Sequence, residues 1–405
     1  MTQYLPNPLN PRPSLPQSAI PCFGAEGVAA ARTLLPLRPG GERATPLRAL
    51  PELARTLGLY SLHVKDEGQR LGLGSFKALG GAHAVMTLVL RAAEEALGRK
   101  VAPKEVSSAA VQRIAERITF ICATDGNHGR SVAQGARLVG ARSVILVHEG
   151  VSPARAEAIA AQGAEVRRCP GTYDDSVAEA ARLAKAEGWT LVSDTAWPGY
   201  EEIPSLVMQG YSALAAEMAE ALPEVPSHLF LQAGVGGFAA AIGASLTLQW
   251  GERAPKLIVV EPDRAACLLQ SARAGRPVKA AHGAPTVMAM LECYEPSLTA
   301  FTLLGALAEG YMAIPDEAAV AAMRRLAFPE TGDPAIIAGE SGAAGLAGLM
   351  AACADPALRE ALGLGPEARV ALVVTEGATD PESFARLVGV CPERLVGEGE
   401  RDAAR

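Results

Sequence analysis

No stretch of this 405-residue chain offers the ~20 unbroken apolar residues needed to cross a bilayer, so a membrane-spanning helix is not expected. Positive charge is not in excess either. Thirty-seven Lys and Arg stand against 44 Asp and Glu, a formal charge of -7, which leaves no domain-wide positive field for nucleic acid. The opening residues, MTQYLPNPLNPRPSLPQ, lack the cationic and apolar stretches of a secretory signal, and their prolines prevent a continuous helix. The seven cysteines, Cys22, Cys122, Cys169, Cys267, Cys293, Cys353 and Cys391, are odd in number, widely spaced and without a CxxC pair. That pattern fits neither a disulfide framework nor a metal site and predicts reduced thiols in a cytoplasmic enzyme. Cys122, inside ITFICAT, reads as a small core residue.

What is present is material for folding: 49% of residues are hydrophobic, and 41 Gly and 29 Pro are spread along the chain as turn formers. The length exceeds one ordinary core and predicts two domains. The central part alternates β-rich runs with Ala-rich amphipathic stretches: TFICAT, GNHGRSVAQGARLVG, VILVHE, SPARAEAIAAQGA, EVRRCPG, DDSVAEAARLAKAEG and TLVSD. This rhythm predicts βαβ units on a mainly parallel sheet. Apolar runs at Leu229 to Gln232, Leu257 to Glu261 and Val370 to Thr375 predict a second one. Between Arg91 and Arg117, helices are expected to break near Pro103. The first ~35 residues show no clear periodicity and read as an extended arm.

The candidate chemistry sits mostly at strand-to-helix junctions, where helix N-termini face a ligand. Lys77 follows Ser75 and Phe76 and opens an apolar helical run, so its amine is carried on a rigid element where it can form an imine or move protons. In ATDGNHGRSVA, Asp125 presents a carboxylate at a helix entrance, which also suits plain N-capping, and Asn127 offers amide donors and an acceptor. His128 has no metal-spaced partner and reads as a packing residue. The loop Gly234, Val235, Gly236, Gly237 before Phe238 can present backbone N–H groups to a phosphate. Its spacing is not GxGxxG, and Glu261 lies beyond the usual offset for a ribose-binding acid, which argues against a dinucleotide. Thr375, at the end of RVALVVT, reads either as a turn residue or as a hydroxyl able to bond a heterocyclic nitrogen.

Taken in order, SFK at 75–77, ATDGNHGR at 123–130, SDTAWPGY at 193–200, AGVGG at 233–237, GESGA at 339–343 and TEGATDPE at 375–382 resemble the diaminopropionate ammonia-lyases. These are pyridoxal-phosphate enzymes of the tryptophan-synthase-β-like class, fold type II. The resemblance spans about Lys65 to Glu382 and implies an α/β protein of two domains, each a mainly parallel twisted sheet flanked by helices. It gives 1–84 with 195–405 as the larger, cofactor-binding domain and 85–194 as a smaller, mobile one. The cofactor implied is pyridoxal 5'-phosphate. The substrate implied is a small amino acid, 2,3-diaminopropionate in its D or L form, cleaved to pyruvate and ammonia, and the assembly implied is a homodimer.

By the same resemblance Lys77 would carry the cofactor imine, Asn127 would contact its phenolic oxygen, Gly234 to Phe238 would cradle its phosphate and Thr375 would approach its ring nitrogen. Asp125 would act as a base opposite Lys77, and Asp194 would help bind the substrate amino group. Two departures stand out: Gly74-Ser75 where Asn-Ala is common, and Ser131 where glycine is common. Ser75 reads first as a cap of the Lys77 helix and second as a contact for the substrate carboxylate. A serine or threonine dehydratase, or a β-replacement synthase, is the alternative within enzymes; a non-catalytic pyridoxal-phosphate carrier is the alternative outside them.

Overall fold

The computed structural model describes residues 2–9 and 15–395. By their contacts they form two compact units: a larger one of 2–9, 15–20, 45–70 and 214–395, and a smaller one of 21–44 and 71–213. Strands β1 (Gln3–Pro6), β2 (Leu47–Ala49) and β3 (Ser61–Asp66) open the larger unit. The chain then supplies β4 (Thr119–Ala123), β5 (Arg142–His148), β6 (Glu165–Cys169) and β7 (Thr190–Leu191) to the smaller unit. It returns to the larger with β8 (His228–Gln232), β9 (Lys256–Pro262), β10 (Ala308–Ile314) and β11 (Arg369–Val374).

The larger sheet has the order β1-β10-β9-β8-β11-β3-β2, in which the five inner strands run parallel and β1 and β2 close the edges antiparallel. The smaller sheet, β6-β5-β4-β7, is parallel throughout. Apolar runs covered on both faces are what parallel sheets require, and β4 and β8 are buried at every residue. The two-sheet α/β architecture is therefore as the sequence rhythm predicts. Four strands went unpredicted. β1 and β2 are short edges, β3 carries polar residues and β10 contains glycine. β3 is a strand all the same because its buried Lys65 is paired: its Nζ lies 2.6 Å from Glu217 Oε2, in a network with Arg70 and Glu67.

Segments 71–84 and 195–213, assigned to the larger domain in the sequence-based division, pack with the smaller unit, as does 21–44. The reason is local. Helix Lys77–Leu97 packs along helix Asn127–Val139, and the Phe76 ring lies 4.9 Å from that of Tyr211. Within the leading residues, Gln3–Pro6 pairs with β10 and Ala25–Leu34 is a helix rather than an extended arm; residues 10–14 lie outside the described residues. The expected break near Pro103 is found: helix Lys77–Leu97 ends at Gly98, and a short turn at Pro103–Glu105 precedes helix Ala109–Ala115. Cys122 is fully buried, as a core residue should be. No helix among the described residues is long and apolar enough to cross a membrane.

Candidate active site

Among its parallel strands each sheet reverses its order once, and such reversals open a crevice at the carboxyl ends of the two strands involved. In the smaller unit the order runs outward from β4 to β5 to β6, then β7 returns to the other side of β4. The residues that follow β4 are Thr124 to Asn127, and those that follow β7 lead to Asp194. In the larger unit the reversal lies between β8 and β11, which are followed by Gly234 to Phe238 and by Thr375. The candidate residues other than Ser75 and Lys77 therefore lie just after the four strands at which topology predicts ligands.

In the smaller unit, Lys77 is the first residue of helix Lys77–Leu97, after a segment in which Leu71 adopts a left-handed φ of 53°. Its Nζ donates to Asp194 Oδ2. Burial opposes ionisation of Asp194, but the charge of Lys77 and the hydrogen bond from it outweigh that cost, holding the carboxyl well below the usual range. The turn carrying Asp194 is fixed from behind. The Tyr200 hydroxyl donates to Leu191 O at 2.7 Å and accepts from Ser193 N at 3.1 Å, with its ring stacked 4.3 Å from Trp197. His128 packs here as expected: it is buried, its Nε2 lies 2.8 Å from Val192 O, and burial favours its neutral form.

Two capping expectations are corrected. Helix Asn127–Val139 is not capped by Asp125; Thr124 Oγ1 accepts the N–H groups of Gly126 and Gly129 at 3.0 and 3.1 Å. One residue earlier, threonine reaches back over the first turn and leaves the Asp125 carboxylate to accept from elsewhere. Its partner is His148, with Nε2 2.9 Å from Asp125 Oδ1. Nor does Ser75 cap the Lys77 helix, whose boundary residue is Phe76 without a side-chain cap. Ala78 N donates to the Ser75 carbonyl at 3.1 Å, and the buried Ser75 Oγ has no hydrogen-bond partner among the described residues. Asn127 is buried at the start of its helix.

In the larger unit, Gly236 has φ +97°, a left-handed conformation that favours glycine, and helix Gly237–Trp250 begins at the next residue. A side chain on Gly234 would come within 2.9 Å of Cys293 Sγ, so the loop backbone lies flat against its support. A helix that starts at Gly237 favours an anion at its N-terminal end. From the strand before this loop, Gln232 Nε2 donates to Thr375 Oγ1 at 2.8 Å, to Val373 O at 2.9 Å and to Gly342 O at 3.1 Å. With an oxygen lone pair so occupied, the Thr375 hydroxyl can donate its own hydrogen outward.

Pyridoxal phosphate fits these donor sets. In the larger unit a phosphate suits the Gly234 to Phe238 backbone and a pyridine nitrogen suits a hydroxyl set to donate; in the smaller unit an aldehyde suits a positioned lysine, and the buried Ser75 Oγ, unpartnered among the described residues, adds a polar atom for a ligand carboxylate. The sequence reading missed Thr124, His148 and Gln232. Each is the last residue of an apolar run or the one just beyond it, a position that could have marked them.

Comparison with known proteins agrees. Residues 39–376 match the family described as "Pyridoxal-phosphate dependent enzyme". The chain is 40% identical over 365 residues to a diaminopropionate ammonia-lyase of Salmonella typhimurium, covering 85% of this chain and 87% of that one. It is similar in structure to diaminopropionate ammonia lyase from Escherichia coli in complex with D-serine, with TM-score 0.86 and 35% identity over 96% of this chain and 97% of that one. The same enzyme in complex with an aminoacrylate-PLP azomethine reaction intermediate gives TM-score 0.86 and 36% identity over the same shares.

Proposed function

The chain belongs to the pyridoxal-phosphate dependent enzyme family, and from that premise we propose that it cleaves 2,3-diaminopropionate to pyruvate and ammonia by α,β-elimination. The single observation that carries the reading is the Lys77–Asp194 pair, an amine at a helix start held against an ionised carboxylate. When bound, the cofactor supplies an electron-withdrawing ring that accepts the electron pair left at Cα.

Every other task falls to the chain. Lys77 would hold the cofactor aldehyde carbon and take or return the Cα proton on one face. Asn127 would bond the phenolic oxygen, the N–H groups of Gly234 to Phe238 the phosphate, and Thr375 the ring nitrogen. Asp125 would take the Cα proton from the opposite enantiomer, which we assign as D. Asp194 would bind the substrate ammonium, and Ser75 its carboxylate. A β-ammonium is attracted to carboxylates and leaves more readily than a free amine, which is the reason for two aspartates in a site that eliminates nitrogen. Release of the remaining nitrogen by water gives the keto acid.

The experiment is an absorbance spectrum before and after borohydride treatment with peptide mapping, alongside pyruvate release from D- and L-diaminopropionate, serine and threonine. The expected result is cofactor fixed on Lys77 and turnover of the diamino acid; turnover of serine alone would return the dehydratase reading. We further infer a cytoplasmic homodimer: the free cysteines suit a reducing compartment, and the acidic charge balance does not oppose pairing of two copies. Sedimentation and cell fractionation test both.

A further inference from the structure

His148 ends β5, and its ring meets the carboxylate of Asp125, two residues beyond β4. The two strands are in register there: Ala123 lies opposite Leu146, and Thr124 N donates to Leu146 O at 3.0 Å. The ring is also held on its other side, because Gly150 N donates to His148 Nδ1 at 3.1 Å. A backbone N–H can only donate, so Nδ1 is an acceptor and the single proton of the neutral ring is on Nε2. That proton points at Asp125 Oδ1, 2.9 Å away, while Oδ2 accepts no hydrogen bond from a described residue. The tautomer is thus set by the chain turn at Gly150.

We propose that His148 is a positioning residue for Asp125: it aims the carboxylate and leaves Oδ2 to take the Cα proton. This rests on reading Asp125 as the base for the D enantiomer. A neutral donor suits that task. It fixes the orientation of a carboxylate without the penalty on proton uptake that a nearby fixed cation imposes. The two aspartates are therefore equipped for different work: Asp194 is bound to an ammonium and kept ionised, whereas Asp125 is held by an imidazole.

The test compares holoenzyme carrying His148→Ala, His148→Leu and His148→Gln with Asp125→Asn, measuring kcat and KM for both enantiomers. A misaimed base of this kind costs on the order of 10- to 100-fold. His148→Ala should therefore lower the D-to-L ratio of kcat by about 10-fold or more, with little change in KM. His148→Leu fills the ring volume without a donor and should do the same, so a poorly folding alanine variant does not decide the matter. His148→Gln, whose amide can donate to Oδ1, should recover most of the ratio. If Asp125→Asn is D-selective but the donor-less variants slow both enantiomers equally or neither, the positioning role is wrong. If Asp125→Asn itself slows both equally, the base assignment fails and His148 falls with it.

Discussion

Lys77 and Asp194 are 117 positions apart in the chain, yet the lysine amine donates to the aspartate carboxylate. One partner opens a helix and the other sits on a turn held by Tyr200 and Trp197, so neither depends on a flexible loop for its place.

Asp194→Asn keeps the size of the side chain and removes its charge. Lys77 then loses its counter-charge and the substrate ammonium its anion. kcat/KM should fall by roughly 100-fold or more for both enantiomers, since loss of a group acting in proton or charge handling costs 10²–10⁴. Cofactor absorbance should persist. Steady-state rates with each enantiomer, together with the spectrum, check this; a loss confined to one enantiomer contradicts the assigned role.

Gln232→Leu removes an amide whose two hydrogens are shared among three acceptors, the Thr375 hydroxyl included. Leaving buried acceptors without partners should cost about 1–3 kcal/mol in urea unfolding. Thr375→Val, which deletes only the hydroxyl, should weaken cofactor binding with a smaller loss of stability. Cofactor titration of the two variants separates support from contact.

Ser131 lies in the first half of helix Asn127–Val139, and the structure shows a use for its hydroxyl. Oγ donates to Ala78 O and accepts from Ala82 N, both at 3.0 Å, tying helix Asn127–Val139 to the first turns of the Lys77 helix. Ser131→Ala should lower stability by about 1 kcal/mol, because the carbonyl and N–H it releases can close onto each other within their helix. Calorimetry measures it. A loss above about 3 kcal/mol would mean that this rung cannot reform.

Glu261 lies buried at the end of β9 and accepts the N–H groups of Leu268 and Leu269 at 2.7 and 2.8 Å. Burial pushes its carboxyl up to about 8 against those two donors, from an ordinary value of 4.5. The native state thus holds a proton that the unfolded chain releases. The stability linked to this proton is fully present below about 4.5 and is lost as pH rises through about 8. Glu261→Gln should flatten this part of the profile, so the difference in midpoint temperature between the variant and the parent should change across that window. A parallel pair of curves would rule the proton out.

Much of this protein can be read from its residues. The alternation of β-rich runs with Ala-rich helices specifies parallel sheets because both faces must be covered, and the runs that become β4, β5 and β8 are visible as unbroken apolar letters. Lys77, Asp125, Asn127, the loop Gly234 to Phe238 and Thr375 stand out by residue type and by their places beside strands and helices, whereas Asp194 enters only through the family resemblance. These are local properties, set by neighbours within a few positions. Pairings across long intervals are not local, and folding alone decided them. Lys65 reads as a surface charge until Glu217 covers it, and His148 reads as a strand end until β4 and β5 come into register. The same is true of Ser75 and Asp125, whose letters suit caps; which atom claims each helix N-terminus depends on backbone geometry a residue away, where Thr124 and the Ser75 carbonyl arrive first. A side chain's chemistry belongs to its sequence, but its partner is chosen by whichever group the tertiary fold carries within about 3 Å.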